Sequence, residues 1–102
     1  MTNEDFTIEV ENSFNRAKKV MLKKAKEYAS EDDRLDNFKR AGAAQGIASS
    51  AALVGMAAKH FVSITEMAKN PNDYTTQQWH EKTGDLKNYM VLLEALLIDL
   101  EV

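Results

Sequence analysis

Apolar residues recur every three or four positions along nearly the whole chain, and no segment sustains the alternation of a half-buried strand. Residues at that spacing share one face of an α-helix, so each stripe predicts a helix with one side to bury. Phe6, Val10, Phe14, Ala17, Met21, Ala25 and Tyr28 predict a helix over residues 3–29. Leu35, Phe38 and Ala41 predict a short one over 34–45, with Gly46 as its stop. Leu53, Met56, Ala57, His60, Ile64 and Met67 predict a third, capped by Ser49 or Ser50. It ends at Lys69, because Pro71 cannot continue a helix and biases Asn70 away from one. Thr75 and Gln78 form a capping box for a last helix reaching residue 101. Its stripe is Trp79, Leu86, Tyr89, Met90, Leu93, Leu97 and Leu100. The expected fold is all-α: a helical bundle of three long helices and one short one, with residues 1–102 forming one domain.

A chain of 102 residues buries only a modest core, so the bundle is expected to be completed by oligomerisation. Leu92, Leu93, Leu96, Leu97 and Ile98 put apolar surface on more than one side of the last helix, which points to a homodimer or homotetramer. The net charge of −3 disfavours a long nucleic acid as partner, which needs a basic surface. It leaves room for a small phosphorylated ligand, for which two or three local cations suffice. The polar start Met-Thr-Asn-Glu-Asp does not read as a signal peptide, and Glu94 and Asp99 break the last apolar run too soon for a membrane span. With no cysteine as well, the expected location is cytoplasmic and no membrane partner is expected.

Three side chains interrupt the apolar stripes: His60, Lys82 and Asp85. A half-buried charge costs free energy unless it is paired or used. Taken singly, each has a bland explanation: Lys82 pairs with Asp85 and snorkels, and His60 is a satisfied core histidine. Taken together they favour a binding site, because one core rarely needs several ionisable groups. Arg16, Lys18, Lys19, Lys23, Lys24 and Lys26 form a run of six cations without an acid. Most read as a solvated helix face, with Lys24 and Lys26 placed to reach a phosphate. The acids Glu27, Glu31, Asp32, Asp33 and Asp36 read as an acidic turn at the start of the second helix. They lack the glycine of a calcium loop. No phosphate-cradling glycine loop, dinucleotide fingerprint, His-Glu-x-x-His motif or nucleophile elbow is present.

The pattern Lys24-x-Lys26-Glu27-Tyr28, Glu31-Asp32-Asp33 and Asn37-Phe38-Lys39 resembles small phage and prophage proteins related to the MazG-like all-α nucleotide pyrophosphohydrolases. Met56-x-x-Lys59-His60 with Ser63-Ile64, then Asp85-Leu86-x-Asn88-Tyr89, continue the resemblance, which spans residues 22–97. In hydrolytic members, Glu-x-x-Glu and Glu-x-x-Asp motifs hold Mg²⁺ on a nucleoside triphosphate, and water cleaves between the α and β phosphates. Asp85 matches the aspartate of the second motif, but Lys82 stands where its glutamate belongs. The third helix offers Lys59 and His60 instead of Glu-x-x-Glu. The resemblance with these departures implies a cationic pocket that holds phosphates without a metal.

The expected function is a phage-type nucleotide-binding protein, non-hydrolytic, sequestering a nucleotide-derived immune signal such as a cyclic dinucleotide or an ADP-ribose derivative. The location would then be the host cytoplasm. The expected ligand-binding residues are Lys24, Lys26, Tyr28, Asn37, Lys59, His60, Lys82, Asp85, Asn88 and Tyr89. Tyr28, Phe38 or Trp79 would stack on a base, and Asn37 or Asn88 would read its edge. No cofactor is expected. One alternative is a Mg²⁺-dependent pyrophosphohydrolase, with Asp85 and acids of the 27–36 segment as metal ligands. Another is a structural or interaction protein whose polar cluster fixes helix register.

Overall fold

The computed structural model describes residues 1–28 and 33–100, with the side chains of Lys26 and Tyr28 outside the described set. It is an all-α bundle: α1 (Asn3–Tyr28), α2 (Asp36–Gln45), α3 (Ser49–Lys69) and α4 (Thr76–Asp99), with a 3₁₀ turn at Pro71–Asp73. No strand occurs among the described residues. The core lies where α2, α3 and the C-terminal half of α4 meet. Leu53 and Leu96 are fully buried there beside Leu35 and Phe38, and Met56, Tyr89, Leu92, Leu93 and Ala95 pack around them. Among the described residues, α1 packs on α4 and on no other helix.

Local chemistry explains the connections. Gly46 has φ of 66°, a left-handed conformation that glycine adopts without strain. Around it the Ile47 N–H donates to Gly42 O (3.0 Å) and the Gly46 N–H to Ala43 O (3.3 Å), the paired bonds of a Schellman stop. The turn folds residues 47–49 tightly onto α2. A Cβ on the buried Gly42 would lie 2.9 Å from Ile47 O and from the Ser49 backbone. This close approach starts α3 at Ser49 with Ala48 as its N-cap and no side-chain cap bond. The serine cap expected from sequence is therefore absent. α2 and α3 make an angle of 99°.

Pro71 occupies the first position of the 3₁₀ turn, where its missing N–H costs nothing. The Trp79 Nε1–H donates to Pro71 O (3.0 Å), and Tyr74 meets the Trp79 ring edge-on at 6.2 Å. The capping box forms fully: the Gln78 N–H donates to Thr75 Oγ1 (3.1 Å) and the Thr75 N–H to Gln78 Oε1 (2.8 Å). α2 begins at Asp36, two residues later than its stripe suggested. Asp33 Oδ1 accepts the Leu35 N–H (2.9 Å) and shapes a turn in front of the helix. Lys39 then bridges Asp33 (2.7 Å) and Asp99 (2.6 Å), tying the start of α2 to the end of α4.

Exposed apolar side chains are more numerous on α1 than along the leucine run of α4. Leu96 is buried, and Leu92, Leu93 and Leu97 are half-buried. Ile98 is exposed, but the larger exposed stretch is on α1, where Phe6, Ile8, Phe14 and Leu22 all face solvent. No single helix among the described residues is long and apolar enough to cross a membrane.

Candidate functional site

Asp85 is the meeting point of three helices. Its side chain, 25 % exposed on α4, lies 3.7 Å from Lys24 Nζ of α1 and 3.6 Å from His60 Nδ1 of α3. Both distances are too long for hydrogen bonds, so the carboxylate keeps open acceptor sites. Tyr89, one turn along α4 from Asp85, lies against the His60 ring at 5.1 Å with the planes tilted by 38°. That contact fixes the imidazole on its open side, and the core packed around Tyr89 fixes Tyr89 in turn.

Asp85 opens onto a cleft of about 560 Å³ between α1 and α4, within the size range of small-molecule sites. Arg16, Lys19 and Lys24 line it from α1, and His80 and Lys87 from α4. The opposing acids are Glu81 and Asp85. Arg16 is also tied to Glu9 (2.5 Å), and this hydrogen bond holds the Glu9 carboxyl below its usual range. The Lys87 ammonium donates to the Ser13 hydroxyl, pinning α4 to α1 at the cleft wall. Lys19 makes no ion pair among the described residues. Gly84 lies in the floor, and a Cβ there would meet nothing within 4 Å.

The structure brings together four of the expected site residues: Lys24, His60, Asp85 and Tyr89. The others are placed differently. Lys82 is half-buried but not paired with Asp85; Lys24 and His60 take that role because α1 and α3 flank the carboxylate. Lys59 is exposed beside His60 and makes no ion pair among the described residues. Asn37 is exposed on α2, which contributes nothing to the cleft. Asn88 is buried, and its Oδ1 has no hydrogen-bond partner among the described residues. It faces a second, apolar groove on the opposite flank of α1.

Two expected stacking residues are committed elsewhere. Phe38 is in the core at 7 % exposure, and Trp79 is held by Pro71 and Tyr74. The side chains of Lys26 and Tyr28, and residues Glu31 and Asp32, lie outside the described residues. Sequence reasoning missed His80 and Lys87 as cleft residues. Nothing in the sequence singled them out, because the segment that lies opposite them, α1, is set by tertiary packing.

The described surroundings of Asp85 are not a carboxylate cluster. Asp85 is met by nitrogen bases and cations rather than by further carboxylates. No three metal-ligating side chains cluster among the described residues. No family model, curated protein or solved structure matches the chain.

Proposed function

We propose that the chain binds a nucleotide or nucleotide-derived small molecule through its phosphates, in the cleft between α1 and α4, without hydrolysing it. The observation that carries this reading is the convergence of Arg16, Lys19, Lys24, His80 and Lys87 on one cleft of ligand size. Charge-assisted N–H···O bonds from such groups suit phosphate oxygens, and Arg16 can engage two at once. Asp85 lies between Lys24 and His60 and offers an acceptor to a ligand hydroxyl or amine. Lys82, standing where the hydrolases that the sequence pattern resembles carry a metal-binding glutamate, favours holding over cutting. If the chain comes from a phage, as its sequence pattern suggests, the matching role is sequestration of an immune signal such as a cyclic dinucleotide or an ADP-ribose derivative.

Calorimetric titration against cyclic dinucleotides, ADP-ribose derivatives and nucleoside triphosphates tests the reading, with chromatography of the recovered ligand. The expected result is binding of at least one ligand and its recovery intact. Lys24→Met and Lys87→Met should each weaken that binding by about tenfold, the usual loss for one charge-assisted contact. Failure to bind any phosphorylated ligand overturns the proposal. Release of pyrophosphate with Mg²⁺, abolished by Asp85→Ala, replaces it with the hydrolase.

A further inference from the structure

The single chain is under-buried. Its accessible surface is 7583 Å², whereas a compact folded chain of 11.5 kDa exposes about 5,800 Å². Its radius of gyration is 15.6 Å, against about 13 Å for a compact chain of this length. The surplus of about 1,800 Å² exceeds the ~800 Å² that each partner buries in a standard interface and suits an obligate one. Exposed large apolar side chains are most numerous on α1. Ala17, in mid-helix, is buried against α4, but Phe6 and Phe14 on the same stripe are 60 % and 63 % exposed. Beside Phe14 runs an apolar groove of about 770 Å³, lined by Met21, Ile64, Leu86, Met90 and Val91. Asn88, whose buried Oδ1 has no hydrogen-bond partner among the described residues, is one of its lining residues.

Charge along α1 says what covers this face. Residues 3–14 hold four acids (Glu4, Asp5, Glu9, Glu11) and no base, whereas residues 15–26 hold six bases and no acid. Two such helices side by side in parallel would set like against like, whereas antiparallel they complement each other end to end. At 100° per residue, Glu11 and Lys18 flank Phe14 on its groove side, each within about 60° of it. Arg16 and Lys24 fall on the other side, toward the phosphate cleft. A two-fold axis between Phe14 and Asn15 would set Glu11 of each copy opposite Lys18 of the other.

We propose that a second copy of this chain docks on the Phe14 face, α1 antiparallel to α1, with Val10 and Phe14 of each copy entering the other's groove. The interface is isologous, so it closes as a pair and does not propagate. It leaves the cleft around Asp85 open, so it stands or falls independently of nucleotide binding.

Sedimentation of the full chain from about 1 to 100 µM tests the arrangement. The wild type should sediment as a dimer or a pair of dimers, and Phe14→Asp should halve its assembly size. Phe14 is mostly solvent-exposed in the single chain, so the variant should keep its helical circular dichroism. Glu11→Lys and Lys18→Glu should each weaken association by about tenfold through two facing like-charge pairs. The double variant Glu11→Lys/Lys18→Glu should recover to within about threefold of wild type, because the swap restores both pairs. A wild type that stays monomeric at the highest concentration overturns the proposal. So does an assembly that ignores Phe14→Asp, or a double variant no better than the single ones.

Discussion

Gly42 and Gly84 are both helical glycines, yet the structure uses them in opposite ways. At Gly42 an added methyl would meet backbone on the facing turn at 2.9 Å, and backbone cannot rotate away. Gly42→Ala should therefore cost about 1–3 kcal/mol in denaturant unfolding. At Gly84 an added methyl meets nothing. Gly84→Ala should stabilise α4 by up to about 1 kcal/mol, the propensity difference between the two residues. Its branched counterpart Gly84→Leu should fill the cleft floor and lower ligand affinity while the fold persists, as paired titration and thermal melts would report. Nothing in the sequence distinguishes these glycines, because the distinction depends on what another segment places opposite them. The same holds for Asp85. Its place as a polar interruption of an apolar stripe was legible, but its partners were not, since Lys24 and His60 reach it from helices 61 and 25 residues away in sequence.

Among the elements, the helices were legible and their seams less so. Every stripe became a helix, and the Thr75–Gln78 box formed as its spacing required. The first turns of α2 and α3 shifted because a tertiary contact or an acidic side chain decided them, not intrinsic preference. Asp33 illustrates this at the α2 seam. The hydrogen bond from Lys39, then that from the Leu35 N–H, lower its pKa in the folded state. The unfolded carboxyl titrates near pH 3.9 and the folded one below that. Its stabilising contribution is thus complete above about pH 4 and is lost as pH falls through the lower, folded value. Asp33→Asn should lower the melting temperature at pH 7 and lose that effect in strongly acidic solution. A pH series of thermal melts on both proteins measures this. An unchanged difference at low pH would show that Lys39 and Leu35 are not the cause.

For the molecule as a whole, the bundle class followed from periodicity alone, but the location of its unburied surface did not. Leucine density on α4 suggested excess there, yet α2 and α3 consume most of it. Exposed apolar side chains are most numerous on α1, whose stripe is longer than the one helix it packs against among the described residues can cover. A one-dimensional stripe reports how much a helix wants to bury and is silent on how much its neighbours can reach.

That α1 rests on α4 alone has a kinetic side. The core of Leu35, Phe38, Leu53 and Leu96 contains no residue of α1, so α1 can detach without opening it. Local opening of this kind draws on fewer contacts than global unfolding and is the more frequent event. In hydrogen–deuterium exchange at low protein concentration, the amides of α1 should therefore exchange well before those around Leu53 and Leu96. Raising the concentration should slow α1 selectively, since a neighbouring α1 must leave before the helix can lift. Uniform protection across all four helices, or no dependence on concentration, would count against this order of release.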